Sequence, residues 1–165
     1  MRKVGIIMGS DSDRPIIEKA VSTLKDFGVP CTVHVFSAHR TPEEARAFAL
    51  SARENGYGVL IAAAGMSAHL AGAIAANTTL PVIGIPCKSA NLDGIDALLS
   101  TVQMPSGIPV ATVAVNGGVN AALLSLEILA VTDERLAEAL DKKRAADREA
   151  VLEKDRRISA ELSTD

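Results

Sequence analysis

Short apolar runs alternate with amphipathic segments from the start of the chain to about residue 130. The run Val4, Ile6, Ile7 within residues 3–8 reads as a buried strand. A helical period follows at once. Ile16, Ile17, Ala20, Val21, Leu24 and Phe27 share one face, Pro15 sits in the first turn, and Gly28 ends the helix. Ser12 or Asp13 is the expected N-cap. Residues 31–37 are rich in β-branched side chains and form the second strand. Thr41-Pro42-Glu43-Glu44 has the form of a capping box with proline at the first helical position, and Ala45, Phe48, Ala49 and Ala52 continue at helical spacing until Gly56. Residues 59–63 are a continuous apolar run, as in a strand covered on both faces. The small-residue stretch 65–77 predicts a closely packed helix. Residues 82–85 predict a strand, 93–101 a short helix, 110–115 a fifth strand and 119–130 a helix behind it.

Strands alternating with helices imply right-handed βαβ units and a parallel sheet. Five strands point to a flavodoxin-like, doubly wound α/β layout, in which ligands bind beyond the carboxyl ends of the strands. Four loops are expected there: 9–13, 37–41, 64–70 and 86–93. The whole chain, 1–165, reads as one domain, with a core over 3–130 and a helical extension over 133–160. In that extension charge dominates and apolar positions thin to Leu136, Leu140, Val151 and Ile158. A helix of that length outreaches a five-stranded core, so its stripe is expected to pack on a neighbouring subunit.

Composition narrows the choice of ligand. A net charge of −3 leaves no footprint for nucleic acid or an anionic membrane surface, so any bound phosphate depends on local geometry and a few cations. Aromatics make up 2% of the chain, without tryptophan, which argues against stacking platforms for single-stranded nucleic acid. Two cysteines, Cys31 and Cys87, cannot form a metal cluster by themselves and read as reduced, buried thiols. Met-Arg-Lys leads straight into the first strand with no signal-peptide layout and no apolar run of spanning length, so a cytoplasmic location is expected.

Chemistry concentrates in the loops. Gly9-Ser10-Asp11-Ser12-Asp13 delivers small hydrogen-bonding residues to a helix start, where unpaired N–H groups and the helix dipole favour an anion. Ser37-Ala38-His39-Arg40 places a proton carrier and a fixed fork of donors at the end of the second strand. His69, within Gly65-Met66-Ser67-Ala68-His69-Leu70, is the second histidine near that edge; alone it reads as a helix-start residue. His34 lies mid-strand and reads as structural. Asp11 and Asp13 resemble the acid pair of receiver domains, but the third strand ends in alanines rather than an acceptor aspartate, and the fifth ends at Asn116 rather than lysine. No P-loop pattern is present. Asn116-Gly117-Gly118 is a candidate for the site rim, and the proline-bracketed turn 103–109 has no evident role.

Taken together, Met8-Gly9-Ser10-Asp11-Ser12-Asp13, Ser37-Ala38-His39-Arg40-Thr41-Pro42, Ala68-His69-Leu70 with Gly72, Pro81-Val82-Ile83-Gly84-Ile85-Pro86, Leu92-Asp93-Gly94-Ile95-Asp96 with Ser100, and the stretch 102–113 resemble the PurE family in one register from residue 3 to 130. The resemblance implies a three-layer flavodoxin-like sandwich assembled as an octamer. It implies an isomerase of de novo purine synthesis that moves a carboxylate from the exocyclic nitrogen of N5-carboxyaminoimidazole ribonucleotide to a ring carbon. No metal or other cofactor is implied. By resemblance Ser10, Ser12 and Arg40 take the phosphate, Asp13 accepts from the ribose hydroxyls, and His39 shuttles the proton. His69 and residues 64–67, including Gly65, Met66 and Ser67, line the carboxylate or CO2 pocket; Ser37, Ala38 and Leu70 complete the substrate contacts. A related branch adds free CO2 to aminoimidazole ribonucleotide and typically has lysine at the position of Arg40, so Arg40 with Ala68-His69-Leu70 points to the mutase branch. A module that binds nucleotide without turnover is the alternative of another class.

Overall fold

The computed structural model describes residues 2–164. Five parallel strands, β1 (Lys3–Met8), β2 (Cys31–Val35), β3 (Tyr57–Gly65), β4 (Val82–Cys87) and β5 (Ala111–Thr112), form one sheet in the order β2-β1-β3-β4-β5. Six helices accompany them: α1 (Arg14–Asp26), α2 (Pro42–Ser51), α3 (Leu70–Ala75), α4 (Ile95–Val102), α5 (Gly118–Ala130) and α6 (Glu134–Leu162). The order is that of the flavodoxin-like doubly wound fold, with the switch in winding between β1 and β3.

The pleat sorts side chains between two layers. Val4, Ile6 and Met8 of β1 and Val59, Ile61 and Ala63 of β3 meet Ile17, Ala20 and Leu24 of α1 and Ala121, Ala122 and Leu126 of α5. Ile7, Leu60, Ala62 and Val82 point the other way, to Ala45 and Ala49 of α2 and Leu70, Ala71 and Ile74 of α3. Apolar residues on both sheet faces explain why β1, β3 and β4 read as unbroken apolar runs. α6 starts against the first layer: Asp133 accepts from the Leu136 N–H at 3.2 Å, and Leu136 and Leu140 are buried. Farther along, Val151, Ile158 and Leu162 are exposed.

Several local expectations change. The first capping group is Ser10, whose hydroxyl accepts from the Ser12 N–H (3.3 Å) over a 3-10 turn at Asp11–Asp13. Asp13 occupies the N-cap position of α1 but already has helical angles and makes no side-chain cap, while Ser12 lies inside the turn. The Thr41 hydroxyl does not cap α2 either; it accepts from the Ser37 N–H (2.8 Å) and donates to the Ser37 carbonyl (3.2 Å), closing the 37–41 loop on itself. The alanine-rich helix is confined to α3, because β3 runs on to Gly65 and Met66 turns left-handed at φ 55°. β5 keeps two paired residues of the six expected. It pairs only with β4, and nearby the Asn116 N–H bonds back to the Pro86 carbonyl (2.9 Å).

Candidate functional site

A cleft of about 720 Å³ opens at the carboxyl ends of the strands, next to the switch point. Its walls are the four expected loops: Gly9, Ser10, Ser12 and Asp13 after β1; Ser37 to Arg40 after β2; residues 64–67 with His69 and Leu70 after β3; and Lys88 to Ala90 after β4. Every residue singled out from the sequence for substrate contact thus lines one cavity. A larger hollow of about 970 Å³ lies around the amino-terminal ends of β4 and β5, lined by Asn77, Pro81, Val82 and Ala111 among others. It contains no histidine, and its Arg53 already donates to Thr79 (2.9 Å). His39 and His69 both belong to the smaller cleft.

Each wall is set by local hydrogen bonding. The Ser12 and Ser10 hydroxyls lie 3.0 Å apart, so the two side chains form a pair at the mouth of α1. Ser37 Oγ accepts from the N–H groups of His39 (3.3 Å) and Arg40 (3.2 Å), which fixes the backbone that carries both side chains. One guanidinium nitrogen of Arg40 donates to the Gly9 carbonyl at 3.0 Å and clamps the second loop onto the first. The remaining guanidinium donors face an exposed setting.

The two histidines come together. The imidazoles of His39 and His69 are 6.4 Å apart between centroids and within 15° of parallel. His69 stands at the N-cap position of α3 without making a side-chain cap, and its carbonyl receives the Ala73 N–H (2.9 Å). The bland reading of His69 as a helix-start residue therefore leaves its ring unexplained, and the ring is in the cleft. His34, by contrast, stacks on Phe36 (5.1 Å, 7°) and stays a packing residue.

Asp13 is the buried acid of the site, 8% exposed. Burial raises its carboxyl above the usual carboxylate value, against hydrogen bonds from the Cys87 thiol, the Ser10 loop backbone and Ser12. Cys87, under the end of β4, is pushed up to about 12, first by burial and then by the negative charge of Asp13. Both cysteines are free thiols.

Sequence reasoning assigned nothing to Lys88, Ser89 and Ala90, although the loop that carries them was expected at this edge. A lysine directly after a strand gives no signal of its own; the signal is the strand order. The turn 103–109 gains a role as buttress. Met104 packs against Gly72, where a Cβ would sit 3.0 Å from its sulfur and 3.8 Å from the His69 ring. At the end of α4, Thr101 Oγ1 donates to the Ala97 carbonyl (2.7 Å) and reaches the Ala68 carbonyl at 3.4 Å. The segment thereby backs the loop that presents His69. Asn116, left-handed at φ 59°, accepts the Lys88 N–H at 2.8 Å and so braces the β4 loop, but it does not itself line the cleft.

A doubly wound parallel sheet whose switch-point cleft holds two facing imidazoles, a serine pair, an arginine and a buried acid defines a class of protein built to hold a small anionic molecule and move a proton on it. The family model for AIR carboxylase matches residues 3–150, and the chain belongs to that family. It is 56% identical over 144 residues to the N5-carboxyaminoimidazole ribonucleotide mutase of Pyrococcus abyssi, covering 87% of this chain and 83% of that protein. It is 50% identical to the phosphoribosylaminoimidazole carboxylase of Saccharomyces cerevisiae, covering 94% of this chain but 27% of that much longer protein. The crystal structure of Treponema denticola PurE superposes with a TM-score of 0.85 at 30% identity, covering 98% of both chains.

Proposed function

We propose that the chain is an N5-carboxyaminoimidazole ribonucleotide mutase, an isomerase of purine synthesis. The observation that carries this reading is the facing pair His39 and His69 at 6.4 Å, in the same cleft as Ser10, Ser12, Asp13 and Arg40. The family, and relatives of similar length that carry this name, support it.

The roles follow from the chemistry of each group. The Ser10 and Ser12 hydroxyls and the free donors of Arg40 take the phosphate. Asp13 accepts from the ribose hydroxyls. Ser37 and Ala38 form the wall beside the ring, and Leu70 closes its apolar side. The carbamate on the exocyclic nitrogen leaves as CO2, which stays beside the ring in the pocket of Gly65, Met66, Ser67 and His69. The electron-rich ring carbon attacks the CO2, forming the new C–C bond. That carbon then carries a proton and a carboxylate together. His39 removes the proton, its electron pair returns to the ring, and the same proton is returned to the nitrogen that lost its carboxylate. Holding CO2 beside the ring supplies proximity, and the base supplies about 10²–10⁴-fold.

The sharpest test is a paired assay. The purified protein should convert N5-carboxyaminoimidazole ribonucleotide to 4-carboxy-5-aminoimidazole ribonucleotide without added bicarbonate. Turnover only of aminoimidazole ribonucleotide with CO2 would instead establish the carboxylase reading, the activity named for the yeast relative, of whose much longer chain this one spans 27%.

The same proposal extends to assembly and location. Ile95, Leu99 and Val102, from 56% to 46% exposed, form an apolar stripe along α4, Leu92 is exposed in the loop before it, and Val151 and Ile158 of α6 are uncovered. Those faces fit neighbouring copies, in an octamer. Among the described residues no helix is long and apolar enough to cross a membrane, and a cytoplasmic enzyme accords with two free thiols.

A further inference from the structure

The fourth wall of the cleft carries a cation that the roles above leave unused. The Lys88 backbone is pinned, because its N–H donates to Asn116 Oδ1 at 2.8 Å and the Asn116 N–H donates to the Pro86 carbonyl at 2.9 Å. Its side chain is not pinned in the same way. The ammonium lies 2.9 Å from Asp93 Oδ1, with the two side chains 58% and 80% exposed. An ion pair so open to water is weak and screened by salt, so the ammonium can leave it for a better partner.

The chain takes unusual steps to set that pair. Asp93 is left-handed at φ 52° and Gly94 follows at φ 93°, so the loop doubles back toward Lys88. A Cβ on Gly94 would meet the Lys88 Cα at 3.1 Å. The result is a lysine on the cleft wall whose counter-ion sits beside it on the rim.

Charge placement around the cleft says what the lysine meets. Arg40 stands on the loop after β2 and the serines on the loop after β1. Lys88 stands on the loop after β4, across β1 and β3 in the strand order, and next to the β3 loop with His69. A carboxylated ribonucleotide is anionic at two ends, and a single cation cluster at one end leaves the other charge uncompensated. We propose that Lys88 is a specificity residue for the substrate's carboxylate, released from Asp93 when that carboxylate arrives. This inference rests on the ribonucleotide reading above.

The test is equilibrium binding by calorimetry with two probes, 4-carboxy-5-aminoimidazole ribonucleotide and its uncarboxylated counterpart, aminoimidazole ribonucleotide. Lys88→Gln should weaken the carboxylated probe about tenfold, the usual scale of a charge-assisted hydrogen bond, and leave the uncarboxylated probe within about twofold. Lys88→Arg should keep most of the discrimination. Asp93→Asn should shift the carboxylated probe the other way, tightening it by roughly two- to threefold, because the competitor for the ammonium is gone. Equal weakening of both probes by Lys88→Gln would place the lysine at the phosphate and overturn the proposal. Weakening by both Lys88→Gln and Asp93→Asn would reduce the pair to a structural latch and overturn it too. If the parent protein binds neither probe, the ribonucleotide reading itself fails, and this inference falls with it.

Discussion

His39 and Asp13 are asked for opposite things, one to exchange a proton and the other to hold a charge where burial disfavours it. His39→Asn keeps the size of the ring and removes the base, so turnover should fall by about 10²–10⁴-fold while ligand still binds. Full activity in that variant would take His39 out of the proton transfer, whereas a parent that binds ligand without any turnover would leave the binding-module reading. Arg40→Ala should chiefly weaken phosphorylated ligand, by roughly tenfold or more, since it deletes charge-assisted donors and frees the Gly9 carbonyl. An unchanged dissociation constant would remove Arg40 from the phosphate contact. For Asp13, burial raises the folded carboxyl above its unfolded value. The folded state then holds this proton more tightly than the unfolded chain. Ionisation therefore lowers stability as pH rises from the ordinary carboxylate value through the raised one. Asp13→Asn should melt higher than the parent once pH exceeds the raised value, with the gap closing as pH falls through that value and largely gone below about pH 4, where both side chains are neutral in the folded state. A gap that stays constant across that range would assign the gain to something other than charge.

At the scale of elements, what was legible followed the physics that is local in sequence. The apolar runs of β1, β3 and β4 and the period of α1 and α5 are set by burial, and burial writes itself into residue type. Capping was misread because Ser10, Ser12, Asp13 and Thr41 all offer oxygen acceptors, and which one meets an N–H depends on the loop's dihedral angles. α3 is shorter than its small residues suggest because they permit a helix without requiring one, and a left-handed turn at Met66, rare for a residue with a Cβ, leaves no mark in the sequence. His39 and Arg40 were readable from their place after β2, whereas the contact between His39 and His69 depends on strand order and could be seen only in three dimensions. The packing of α4 gives a test at this scale. A Cβ at Gly84 would overlap Thr101 Cγ2 and sit 3.1 Å from Val110 and 3.2 Å from Ala71. Gly84→Ala should therefore cost about 1–3 kcal/mol in denaturant unfolding, since none of the three neighbours is the free end of a long side chain. A loss below a few tenths would mean that α4 shifts readily on the sheet.

For the molecule as a whole, α6 divides into a half that belongs to this chain's core and a half that does not. Leu136 and Leu140 are buried against the first layer, whereas Val151, Ile158 and Leu162 are uncovered. Ending the chain at Asp147 keeps the first half and deletes the second. Light scattering should then show a smaller assembly with the fold retained, and an unchanged mass would take α6 out of the subunit contacts.

The strand order has a kinetic corollary. β1 pairs with β3, so Ile6 must find Ile61, and β3 must find β4 before Lys88 reaches the others. Parallel pairings between segments so far apart must close long loops before they are rewarded, which slows folding. Because the four loops that wall the cleft hang on these pairings, the cleft should form late in refolding, together with the sheet itself. A nascent chain that ends before β4 holds serines, histidines and arginine yet has no cleft to put them in.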